Sequence, residues 1–145
     1  MTTVVRRNQN YGWLPFLFND FLKDDWRVGS NSTMPAVNVK ETDNAFFVEV
    51  AAVGVTKEDF TINISEDNEL VIMMEKKNES TEEDKNVRYL RREFSYSKFQ
   101  KAMVLPENVN KEKIEAKVEN GVLVVSLPKL SENEIQKKQR TISIN

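Results

Sequence analysis

From Val37 onward the hydrophobic residues fall into short runs with a period of two, and this alternation constrains the fold more than any other feature of the chain. Val37 and Val39 alternate with Asn38 and Lys40, and Phe46, Val48 and Val50 alternate with Phe47 and Glu49. The pattern returns in Phe60, Ile62 and Ile64, in Leu70 and Ile72, in Ile114, Ala116 and Val118, and from Val122 to Leu127. In an extended chain successive side chains point to opposite faces, so each run reads as a strand with one buried face. About seven such strands separated by turn residues predict an all-β fold, a β-sandwich. Three turns carry their own chemistry: Thr42-Asp43-Asn44, Asp67-Asn68 and Asn120-Gly121. The last is the strongest, because a type I′ turn needs positive φ at both central residues; it predicts a hairpin joining strands 114–119 and 122–127.

Flanking the strand pattern are segments of different composition. Residues 1–34 hold six of the thirteen aromatics (Tyr11, Trp13, Phe16, Phe18, Phe21 and Trp26), and Leu14, Leu17, Phe18, Phe21 and Leu22 recur at helical spacing behind Pro15. One or two amphipathic helical turns are predicted there, packed on the chain's own core or presented to another molecule. Ser30 to Pro35 reads as a polar linker, and the boundary is drawn after residue 34. Residues 76–91 form a long, highly charged loop with hardly an apolar side chain before Val87. Beyond Pro128 a polar extension, 129–145, ends in Thr141-Ile142-Ser143-Ile144-Asn145; two isoleucines at strand spacing on a solvated tail call for a partner.

Composition removes most chemistry. Cysteine and histidine are absent, which excludes disulfides, thiolate nucleophiles, imidazole bases and the usual zinc, haem and iron-sulfur ligand sets. The four glycines, Gly12, Gly29, Gly54 and Gly121, fit no phosphate-cradling motif. Glu82, Glu83 and Asp84 cluster without calcium-loop spacing, and no nucleophile elbow surrounds any serine. The chain therefore reads as no enzyme, with no catalytic residue, no cofactor and no metal site. With 21 basic and 23 acidic residues the net charge is -2, which argues against a nucleic-acid partner. The short basic stretch of Arg91, Arg92 and Lys98 reads as a solvated, paired edge. No long apolar run or leader pattern is present, so a cytoplasmic location is expected.

Laid out in this way, Ala116-Lys117-Val118-Glu119-Asn120-Gly121-Val122-Leu123 together with the terminal Ile142-Ser143-Ile144 closely resembles the small heat-shock protein family with its α-crystallin domain, of the bacterial type. Pro35-Ala36-Val37, Gly54-Val55 followed by Lys57-Glu58-Asp59-Phe60, and Arg92-Glu93 leading through Phe99 to Leu105-Pro106 extend the likeness over residues 35–128 and the tail. The chain departs from the family pattern at Val53, where proline is frequent, at Ser97, where glycine is common, and at Lys101, where arginine is usual.

The resemblance implies an immunoglobulin-like β-sandwich with a flexible N-terminal arm (1–34) and a C-terminal extension (129–145). It also implies a homodimer that assembles into larger homo-oligomers, and ATP-independent holding of non-native client proteins under stress. Strand exchange through loop 76–91 would use Val87, Arg88, Tyr89 and Leu90 against the partner's edge near Val37 to Lys40, with Lys101 at the dimer interface; lysine lacks arginine's planar fork there. Ile142 and Ile144 would seat in a groove bordered by Phe60, Ile62, Ile64, Ile114, Ala116 and Val118. Trp13, Leu14, Phe16, Leu17, Phe18, Phe21, Leu22 and Trp26 would offer an adaptable apolar surface to clients. Two other readings compete: an adaptor or co-chaperone on the same sandwich, and a peripheral membrane protein using residues 13–26. The absence of a basic face on that segment counts against a membrane partner.

Overall fold

A computed structural model describes residues 23–77, 86–134 and 142–144. Eight strands are present among them: β1 (Arg27–Val28), β2 (Ala36–Glu41), β3 (Ala45–Ala51), β4 (Phe60–Ile64), β5 (Glu69–Glu75), β6 (Lys98–Val104), β7 (Glu115–Glu119) and β8 (Val122–Pro128). They form two antiparallel four-stranded sheets, ordered β1-β6-β5-β4 and β2-β3-β8-β7. Val48 and Val50 of β3, Leu70 and Ile72 of β5, Phe99 of β6 and Val125 of β8 are fully buried between them. This is the sandwich the alternation predicts: the inward set of every central strand is apolar, and a shift of register by one residue would turn that set to water.

Local chemistry fixes the turns. Asn120 and Gly121 have φ of 54° and 78°, and Glu119 sits opposite Val122, so the predicted two-residue hairpin is present. Asn68, with φ 61°, takes the left-handed position in the β4–β5 turn. Between β2 and β3 the Thr42 hydroxyl accepts from the Ala45 amide at 3.0 Å while the Thr42 amide donates to the Ala45 carbonyl at 2.8 Å.

Two expectations are corrected. Lys98–Val104 is a central strand that periodicity did not disclose, because its inward series runs Phe99, Lys101, Met103 and the lysine interrupts the apolar face. The sandwich also begins before residue 35. β1 pairs with β6, Arg27 opposite Gln100 and Val28 opposite Phe99. The supposed linker is stitched to residues 95–98: the Thr33 amide donates to the Ser95 carbonyl at 2.6 Å, the Thr33 hydroxyl accepts from the Ser95 amide at 2.8 Å, and the Ser32 hydroxyl accepts from the Ser97 and Lys98 amides at 3.2 Å each. Trp26, expected on a client-binding arm, is only 7% exposed and meets Phe99 edge-on with ring centroids 5.4 Å apart. It is a core residue, and burial of that indole removes it from any sticky surface.

Candidate functional site

β4 and β7 are the outer strands of their sheets, each paired on one side only, β4 with β5 and β7 with β8. They are placed on the same flank of the sandwich by bonds from the segments that lead into and out of β4 to residues bracketing β7. After β3 the chain crosses between sheets through residues 52–59, and the Ala52 amide there donates to the carbonyl of Gly121, in the turn that ends β7, at 3.0 Å. At the other end Asn68, in the turn that follows β4, is bonded through its side-chain oxygen to the Lys111 ammonium just ahead of β7. The two edges therefore run antiparallel across an open seam. Phe60 and Ile62 from β4 and Ile114 and Val118 beside it turn toward the core yet remain half-buried; Ile64 and Ala116 are exposed. An inward-facing apolar residue with no strand beyond it lines a slot, and each edge also presents unused backbone groups along it.

The described part of the tail is not in that slot. Ile142 and Ile144 are 76% and 97% exposed; in an extended chain their spacing would set them about 7 Å apart. A second open edge belongs to β2, which pairs with β3 alone. Val87–Leu90 joins no ladder among the described residues, and Val87, Tyr89 and Leu90 are exposed. The Arg92 guanidinium covers one face of the Tyr89 ring at 4.4 Å from its centroid. Residues 78–85 of the charged loop, and Trp13, Leu14, Phe16, Leu17, Phe18, Phe21 and Leu22 of the arm, lie outside the described residues.

Lys101 is only 3% exposed; it donates through its ammonium to the Lys23 carbonyl at 2.9 Å and pairs with the Asp25 carboxylate, so its charge is engaged within its own chain. The hydrogen bond from Lys101 holds the Asp25 carboxyl below its ordinary value, against a smaller opposing effect of burial. An ammonium taken out of water is costly unless such partners replace its hydration.

Composition gave no hint of Asp59. It ends the short turn Lys57–Asp59 ahead of β4 and is itself buried. Its carboxylate accepts from the Thr56 amide at 3.1 Å, the Thr56 hydroxyl at 3.3 Å and the Lys77 amide at 3.2 Å, tying the start of the groove strand to the root of the long loop. Burial alone would raise its carboxyl, but those amides, the nearby Lys76 charge and the hydroxyl together hold it below the ordinary range. Its ionised form therefore stabilises the fold above the unfolded value, about 3.9, and that contribution disappears as pH falls through the lower folded value. Asp59→Asn is expected to cost about 1–3 kcal/mol at pH 7, the price of a lost charge-assisted network, with the gap to the parent narrowing by pH 3. Urea unfolding at both pH values checks it; an equal gap at both would assign Asp59 no ionic role. The sequence signal that could have pointed to it is Thr56-x-x-Asp59, a capping pattern ahead of a strand.

Among the described residues no group of three or more histidine, cysteine, aspartate or glutamate side chains could hold a metal ion. No helix among them is long and apolar enough to cross a membrane.

Residues 38–145 match the Hsp20/alpha crystallin family. The chain is 33% identical over 139 residues to small heat shock protein C2 of Rickettsia felis, spanning 92% of this chain and 86% of that one. It is 39% identical over 108 residues to the 22.7 kDa class IV heat shock protein of Pisum sativum, 74% of this chain and 53% of the pea protein. Among solved structures, heat shock protein 16.0 from Schizosaccharomyces pombe is similar with a TM-score of 0.63 and 29% identity, over 89% of this chain and 98% of that one. A small heat-shock protein from Xylella fastidiosa, described as having a distinct high order structure, is similar with a TM-score of 0.60 and 25% identity, over 79% and 98%.

Proposed function

Because this chain belongs to the Hsp20/alpha crystallin family, we propose that it is a chaperone of the holding type, which binds unfolding proteins without ATP and keeps them from aggregating as a dynamic oligomer of dimers. The observation that carries this reading is the pairing of an exposed Ile142-x-Ile144 tail with an open, half-buried apolar slot on the same fold. In a closed monomer both features are liabilities; between subunits each satisfies the other. Exchange of Val87–Leu90 onto a partner's β2 edge would build the dimer, and tails seated between β4 and β7 of neighbours would build the larger assembly. The distinct high order structure of the Xylella relative supports an assembling fold.

Holding needs adhesive surface that assembly hides and release exposes. Release of a tail would bare Phe60, Ile62, Ile114 and Val118, and the aromatic residues 13–22 would add an apolar surface that adapts to many clients. The charged loop and the polar extension would keep loaded complexes dispersed. A heat-aggregating client, followed by light scattering with no nucleotide present, is expected to stay in solution at roughly equimolar chaperone. Aggregation at the rate seen without the protein would refute the holding role.

A further inference from the structure

We infer that the outer face of the sheet β1-β6-β5-β4 is the resting seat of the chain's own N-terminal arm, through the apolar stripe Leu14, Leu17, Phe18, Phe21 and Leu22. The two sheets differ on their solvent sides. Outside β2-β3-β8-β7 charged side chains stand among the half-buried Phe47, Val122 and Val124, with Lys40 lying over the Phe47 ring and paired to Glu49 at 3.0 Å, and Lys117 paired to Glu119 at 3.5 Å. Outside the other sheet, register places Thr61 beside Met73 and Gln100, and Asn63 beside Val71 and Ala102, with Val104 following. That strip has no charge at its centre: Glu69, the Glu75–Lys98 pair and Arg27 stand only at its margins. An antiparallel sheet with one solvated face ordinarily turns polar residues outward; here Val71, Met73, Ala102 and Val104 take those places, with Met73 and Val104 exposed.

The position at which the arm joins the sandwich selects the occupant. β1 runs antiparallel to β6, so the chain ahead of Arg27 heads from Gln100 toward Val104. Lys101, whose side chain lies on the inward face of β6, pins it at the edge of that strand through the Lys23 carbonyl and the Asp25 carboxylate, and from there the arm rounds β6 to reach the outer face. Leu22 and Phe21 are one and two residues from that fixed carbonyl, at most about 4–7 Å of chain, comparable to one strand spacing of about 4.8 Å. Two helical turns behind Pro15, the longer of the lengths the spacing predicts, are about 11 Å long and would cross β6, β5 and β4, which together span about 10 Å between outer strand axes. A tethered segment meets such a face at high effective concentration, an advantage no separate partner has. The arm's resting place does not depend on the holding role; loss of either leaves the other standing.

The chain contains no cysteine, so engineered pairs report position cleanly. In the full chain, Phe18→Cys combined with Val71→Cys is compared with Phe18→Cys combined with Val124→Cys, which lies on the outer face of the other sheet. Under mild oxidation the first pair is expected to close within a single chain at least about tenfold faster than the second, with linked peptides identified by mass spectrometry. Equal rates for the two pairs, or a product of twice the chain mass dominating the first pair, would overturn the assignment; the latter would give the seat to a neighbour's arm. As a second measurement, Met73→Asp, a substitution at an exposed position, is expected to speed protease cleavage within residues 13–22 several-fold, and an unchanged rate would likewise overturn it.

Discussion

With Ile142 and Ile144 both replaced by serine, the assembly is expected to fall to dimers, seen as a drop in mass by light scattering coupled to size-exclusion chromatography. In the isolated fold both side chains stand in water, so the substitutions remove nothing from the sandwich and its thermal unfolding should not change. The loss falls on contacts between subunits. Seating one isoleucine is worth about 1.5–3 kcal/mol, hence about 3–6 kcal/mol per tail. That only reaches the low end of the association cost, about 4–15 kcal/mol, so a single tail holds weakly. Two tails and two slots on every dimer make the later contacts intramolecular, which allows a stable assembly whose individual tails still release. The same arithmetic makes the response steep: losing about 3 kcal/mol at each tail weakens each contact roughly a hundredfold, and linked contacts fail together. Ile144→Ser alone should give an intermediate, concentration-dependent mass. An assembly of unaltered mass in the double variant would exclude the slot between β4 and β7 as the tail's receptor.

What could be read from the sequence, and what could not, divides along the range of the interactions. The Asn120-Gly121 hairpin is local: two residues able to take positive φ between two alternating runs determine it without reference to the rest of the chain. The half-burial of Phe60, Ile62 and Val118 was legible for the same reason, whereas Ile64 and Ala116, assigned to the same faces by alternation, are exposed. The intrachain contacts of Lys101 and the burial of Trp26 were not legible because their partners are far away in sequence. A lysine on an inward face looks like the end of a strand until Lys23 and Asp25 are brought to its ammonium, and a tryptophan in an aromatic-rich segment looks adhesive until Phe99 is placed against it. Ser32 and Thr33 have the composition of a linker, yet they bond to residues more than sixty positions away. Asp59 is an ordinary surface carboxylate by type, and only the return of the chain at Lys77 makes it a buried acceptor.

Those corrections decide where the arm can be cut. A chain beginning at residue 23 is expected to fold, giving up only what the seated arm contributes, and to lose most of its protection of a heated client, because it lacks Trp13 to Leu22 and keeps every described contact of the sandwich. A chain beginning at residue 35 should behave differently. It loses Trp26 from the core, and deleting a buried tryptophan costs about 3–5 kcal/mol. It also removes β1, the hydrogen bonds of Ser32 and Thr33, and both groups that hold the Lys101 ammonium. A buried charge deprived of its partners costs about 3–5 kcal/mol where it has been measured by removing one partner of a pair; relaxation of the flexible lysine toward water reduces that here. Against a total stability of about 5–15 kcal/mol for a domain, the shorter chain should melt more than about 10 °C below the parent or fail to fold. Thermal unfolding followed by circular dichroism, with the client assay alongside, separates the two roles. Equal melting temperatures for chains starting at 23 and at 35 would show that residues 23–34 are dispensable to the core, and full client protection by the chain starting at 23 would show that capture does not use the aromatic arm.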